Sequence, residues 1–267
     1  GRSRHVGGGP AEAFLPRASK KGEGPQVSQP HHILLRRRTD AITDKDLAFL
    51  ERALEIQLRE CAREYGLVPP GVTLVTPDTH LPTDDAVAID FVDNDGVPGA
   101  VAHHGWSERA NFAWALVGVQ EAFSWTVAAS HEALEYLVNL KLDRFVEGPR
   151  GLRWPIEICD PVEADSYEVN VSIFGERRAV RVSDWVMPEF WDAGSTSGPW
   201  DKMSHLSGPF SLSTGGYALV TREGEPLELG GGSRHGDGIA TRAGSRVERL
   251  RGFSPAPTIL PSSERQA

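Results

Sequence analysis

Ser124-Trp-Thr-Val-Ala-Ala-Ser-His-Glu-Ala-Leu-Glu-Tyr-Leu-Val-Asn139 is the stretch on which the reading of this chain turns. Val127, Leu134 and Val138 share one face of a helix, and His131 lies on the same stripe, so its imidazole points toward whatever the helix packs against. His131 and Glu135 are four residues apart and hence stacked on one side, while Glu132 projects about 100° around the axis. Two ligands spaced in this way can grip one Zn²⁺. The intervening Glu132 can then act as general base on a water whose pKa the ion lowers to about 7. The bland reading of the same residues is a surface helix carrying an ordinary His/Glu pair.

Two ligands do not complete a zinc site, and a third must come from another part of the chain. The richest source is Glu157-Ile-Cys-Asp-Pro-Val-Glu-Ala-Asp165, where four carboxylates fall within nine residues. Read blandly, it is an acidic turn.

Ser130-His131-Glu132-x-x-Glu135, followed by Glu157-x-Cys159-Asp160-Pro161-Val162-Glu163, resembles a group of uncharacterised bacterial and phage proteins. Their shared pattern, Ser-His-Glu-hydrophobic-x-Glu and then Glu-Val-Cys-Asp-Pro-Val-Glu, in turn resembles that of the zincin metallopeptidases. The likeness runs from about Asp46 to about Val220. It implies a zincin-like α+β domain: a mixed β-sheet with an active-site helix, flanked here by extended N- and C-terminal arms. It also implies His131, Glu135 and Asp160 as zinc ligands and Glu132 as general base, with Glu163 and Asp165 as alternative third ligands. The chain departs from the pattern in having Glu135 where well-characterised zincins usually carry a second His, and Asn139-Leu140 where an Asp-Pro pair often follows.

At 267 residues, 39% hydrophobic and 24% charged, the chain can bury one good core. It has no apolar run of about 18 residues, and its basic start lacks an apolar h-region, so neither a membrane-spanning helix nor a secretory signal is expected. The expected location is cytoplasmic or virion-associated. Cys61 and Cys159 cannot form a disulfide framework: Cys61 falls on a helical apolar stripe, and Cys159 reads more simply as a buried strand residue than as a ligand.

The net charge of −9 is unevenly spread. Residues 1–38 hold eight Lys/Arg against two acids and residues 230–267 six against three, which leaves −18 on the middle. Basic ends on an acidic body suggest arms that reach nucleic acid or neighbouring subunits, or else plain solvated tails. The expected division is a basic Gly/Pro-rich arm over 1–40, a metal-binding domain over 41–229 and a Gly/Arg-rich arm over 230–267.

Thr43-Asp-Lys-Asp46 is a capping-type start for an amphipathic helix with Leu47, Leu50, Leu54, Leu58 and Cys61 on one face, and Gly66 ends it. Strands are expected at Val72–Thr76, Ala86–Val92, Ala100–His104 and Phe112–Val117, the last as the sheet edge. Asp93-Asn-Asp-Gly96 reads as a tight turn rather than a calcium loop, and His103 and His104, beside Gly105, read more simply as a solvated strand end than as a border of the metal cleft. Trp154–Cys159 is expected to be a strand delivering Asp160, and Tyr167–Phe174 with Arg178–Ser183 a hairpin around Gly175. Tyr167 reads as a strand residue and Met187 as core.

The expected function is zinc-dependent, peptidase-like hydrolysis of a peptide or protein substrate. The alternative is a catalytically silent structural protein of a phage virion or similar particle, clasping neighbouring subunits through its arms. Nucleic-acid binding through the arms has charge in its favour but no recognisable module.

Overall fold

The computed structural model describes residues 29–79, 86–94, 102–107, 112–119 and 125–230. The fold is α+β. Its main sheet contains β1 (His32–Arg37), β2 (Gly71–Val75), β3 (Ala86–Val92), β4 (Ala102–Ser107) and β5 (Phe112–Gly118), in the order β2-β1-β3-β5-β4. All pairings are parallel except that of β4 with β5.

Helix α1 (Asp44–Tyr65) starts with a capping box: the Thr43 hydroxyl accepts from the Asp46 N–H, and the Asp46 carboxylate accepts from the Thr43 N–H. At its end Gly66, at φ 65°, turns left-handed and donates to the carbonyls of Ala62 and Arg63. Leu47, Leu50, Leu54, Leu58 and Cys61 are fully buried along one face. Each such side chain contributes roughly 1.5–3 kcal/mol relative to exposure.

Helix α2 (Trp125–Asn139) is buried at every residue from Val127 to Asn139. A helix covered on all sides has to be a central element, and α2 packs against β4, β5, α1 and a hairpin made by β8 (Ser166–Ile173) and β9 (Glu176–Ser183). Polar ties fix its position. Ser130 Oγ accepts from the Ser183 N–H at 2.7 Å, and the Tyr136 hydroxyl accepts from the Gly105 N–H at 3.0 Å and meets the Trp114 carbonyl at 2.5 Å. The remaining strands are β6 (Phe145–Glu147), β7 (Arg153–Pro155), β10 (Tyr217–Arg222) and β11 (Glu225–Gly230), in the order β11-β10-β7-β6.

Three expectations are corrected. The segment expected as the end of an unstructured arm supplies β1, the strand between β2 and β3, with Ile33 and Leu35 fully buried. The arginines that made this segment look like a solvated tail belong to the fold. Arg36 grips Asp90 of the neighbouring strand at 2.5 and 3.0 Å, Arg38 reaches the same carboxylate at 2.9 Å, and Arg37 pairs with Asp44 at 2.7 Å. Second, the edge of the sheet on this side is β4, because β5 runs inside it between β3 and β4. Third, the strand before Asp160 stops at Pro155.

The β8–β9 hairpin and the core positions of Cys61 and Cys159 agree with the sequence reading, and Met187 is partly buried against the core. Residues 1–28 and 231–267, which hold most of both expected arms, lie outside the described residues, as do Asp95 and Gly96 of the acidic turn. Among the described residues no helix is long and apolar enough to cross a membrane.

Candidate metal centre

Two successive helical turns carry His131 and Glu135 on the side of α2 facing the segment after Pro155. His131 Nε2 stands 3.0 Å from Glu135 Oε1 and 3.4 Å from Asp160 Oδ1. Two ligands each about 2.0–2.1 Å from a tetrahedral zinc lie about 3.3 Å apart. Each separation is close to that value, so His131 can share an ion with either carboxylate; the donor atoms that lie within 4.8 Å of one another are those of His131, Glu135 and Cys159, and those of His131, Asp160 and Glu163.

Glu163 approaches the other imidazole nitrogen, with Oε2 3.1 Å from His131 Nδ1. That is the position of a carboxylate that fixes the tautomer and ring orientation of a ligating histidine. The structure thus divides the acidic segment: Asp160 stands on the Nε2 side with Glu135, Glu163 on the Nδ1 side. Asp165 turns elsewhere, with Oδ1 3.2 Å from His205 Nδ1.

Asp160 is held by local chain geometry. It opens a short 3-10 turn, Asp160–Val162, in which Pro161 stiffens the backbone. The Pro161 carbonyl accepts from the Ser213 N–H at 2.9 Å, and a Cβ on Gly216 would lie 2.0 Å from that oxygen. Only glycine permits this approach. Cys159 is fully buried behind the turn, its Sγ 3.8 Å from the His131 carbonyl, and it groups with His131 and Glu135 as a possible ligand set. Burial pushes its thiol well above the usual range.

For His104 the structure follows the second of the two sequence readings, the border of the cleft. Expected at a solvated strand end, it is fully buried, with Nδ1 in contact with Glu132 Oε2 and 3.4 Å from Glu135 Oε2, and Nε2 4.0 Å from Glu157 Oε1. The signal for this lay in the alternation of β4: Ala102, His104 and Trp106 share its inward face, and Ala102 and Trp106 pack on the core. Gly105 permits the arrangement, since a Cβ there would lie 2.6 Å from the Trp114 ring. The centre therefore has two imidazoles bridged by Glu135, one oxygen toward each.

No protein-family model matches the chain, and no curated protein or solved structure matches it.

Burial alone would lower the pKa of His131, but the charges of Glu135 and Glu163 and the hydrogen bond to Asp160 outweigh it and hold the imidazole well above its ordinary value. Glu132, Glu135 and Asp160 are each at most 2% exposed, with Glu163 beside them. A divalent cation suits these donors, since His131 groups with Asp160 and Glu163, and with Glu135 and Cys159, offering N, O and S ligands of the kind zinc takes. Tyr167, expected as a strand residue, lies in β8 and is half-buried.

Proposed function

We propose that the chain is a zinc-dependent, peptidase-like hydrolase with a zincin-like domain, in which His131, Glu135 and Asp160 hold the ion and Glu132 is the general base. The observation that carries this reading is the placement of Glu135 Oε1 and Asp160 Oδ1 at 3.0 and 3.4 Å from one imidazole nitrogen, His131 Nε2. Bound there, zinc would polarise the scissile carbonyl and lower the pKa of the attacking water.

The chain's own groups do the rest. Glu163 on Nδ1 keeps the His131 ring in the ligating orientation. Glu132 accepts the proton from the attacking water and passes it to the leaving amine, while His104, in contact with its Oε2, steadies the carboxylate. Strand β4 supports a peptide substrate, because it is the sheet edge next to α2 and can accept an extended chain as a further strand.

Metal content by mass spectrometry tests the centre: zinc in the wild type, with one equivalent lost in His131→Ala, is expected, and equal zinc content in the two proteins overturns it. The reaction is tested separately with Glu132→Gln, which should keep zinc and lose hydrolysis of a peptide library. Unchanged hydrolysis in that variant removes Glu132 as the base, and a zinc-loaded wild type that hydrolyses no peptide would instead favour the catalytically silent structural protein.

A further inference from the structure

Asp165 is the residue before β8 and Asp184 the residue after β9, and the Asp184 N–H donates to the Asp165 carbonyl at 3.0 Å. The backbone therefore holds two carboxylates side by side at the root of the hairpin, just beyond the Ser166–Ser183 pair. Like charges directly opposite one another destabilise a strand pair. Here the arrangement is buried as well, since Asp184 is 0% exposed.

Asp184 Oδ1 accepts from the Trp185 N–H at 2.7 Å, but its Oδ2 is buried with no hydrogen-bond donor among the described residues, and the same holds for Asp165 Oδ2. The Asp184 carboxyl also lies beside that of Asp201. Asp201 is 0% exposed, with both oxygens occupied by the N–H groups of His205 and Leu206 at 2.8 Å. Those two bonds fix the turn that carries His205, whose Nδ1 stands 3.2 Å from Asp165 Oδ1. One ligand atom from each of Asp165, Asp184 and His205 lies within 4.8 Å of the others.

We propose that Asp165, Asp184 and His205, braced by Asp201, form a second divalent-cation site, independent of the His131 centre, that staples the segment from Asp184 to Leu206 onto the root of the β8–β9 hairpin. Two carboxylates and one imidazole suit a first-row ion such as Zn²⁺ better than Ca²⁺, which takes oxygen ligands. The His205 side chain is 45% exposed, which leaves a route in for the ion and room for water to complete its coordination.

The test strips the full chain with chelator, reloads it with Zn²⁺ and counts bound metal by mass spectrometry in wild type, His131→Ala, His205→Ala, Asp184→Asn and the His131→Ala/His205→Ala double variant. His205 is at the surface, so His205→Ala should fold; circular dichroism checks every variant. The expected result is one equivalent fewer in His205→Ala and in Asp184→Asn than in wild type, one equivalent retained in His131→Ala, and none in the double variant. Zn²⁺ should also raise the Tm of His131→Ala and leave that of the double variant unmoved. Equal zinc content in wild type, His205→Ala and Asp184→Asn overturns the site. Failure of the catalytic reading looks different: His131→Ala then matches wild type, while the loss in His205→Ala remains.

Discussion

The carboxylate of Glu132 is in contact with Nδ1 of His104, a fully buried imidazole delivered by the edge strand β4. In the proposed hydrolase this makes His104 a positioning residue for the base rather than a ligand of the ion. His104→Gln should therefore lower kcat/KM by about 10- to 100-fold, the usual cost of losing such an orienting partner, and leave zinc content unchanged. The split between the two readouts decides the role: loss of metal together with activity would make His104 a ligand.

Asp90 is 3% exposed and receives Arg36 through two hydrogen bonds and Arg38 through a third. Removing it leaves Arg36, itself 6% exposed, as a buried charge without its carboxylate. Asp90→Ala is expected to cost about 3–5 kcal/mol, measured by urea unfolding. A loss under about 1 kcal/mol would mean that the pair is hydrated in solution.

Asp46 titrates below the ordinary carboxylate range, first because the Thr43 hydroxyl bonds its charged form, with the Thr43 N–H and Arg178 adding to the effect against a counteracting burial. A folded pKa below the unfolded value of about 3.9 stabilises the protein above that value, and the gain fades as pH falls through the folded pKa. Asp46→Asn should thus cost on the order of 1 kcal/mol at pH 7, in the range of a lost helix cap, with the gap to wild type closing as pH falls through the lowered folded pKa. Denaturant unfolding at a series of pH values checks it.

Cys61 and Cys159 are fully buried, and burial pushes both thiols well above their ordinary range. Neither should react with Ellman's reagent in the folded protein, and both should react in guanidinium. Fast reaction of one thiol in the native state would show that the core behind His131 opens.

Packing gives a further test at Gly105, where a Cβ would press on the Trp114 ring at 2.6 Å. Gly105→Ala should destabilise by about 1–3 kcal/mol, as overpacking does. Because the residue adjoins His104, a loss of peptide hydrolysis larger than the loss of folded protein is also expected.

What the sequence determined by itself is what depends on neighbours along the chain. The four-residue spacing puts His131 and Glu135 on one side of α2, Thr43 and Asp46 cap α1, Gly66 ends it, and period-two alternation marks the β8–β9 hairpin. Each of these rests on local dihedrals and contacts within a few residues. Tertiary structure alone decided the remainder. His32–Arg37 is too short to announce itself among arginines and becomes a strand because parallel partners 39 and 54 residues away, Val72 opposite Ile33 and Asp90 opposite Arg36, bury its apolar side chains and neutralise its charge. His104 is drawn into the centre by the packing of β4 on β5 and α2. The sequence favoured Asp160 as third ligand without excluding Glu163 or Asp165, and the fold around the 3-10 turn at Asp160–Val162 sends the three to His131 Nε2, His131 Nδ1 and His205. Such long-range pairings have no sequence period, because loop closure and burial elsewhere in the chain set them.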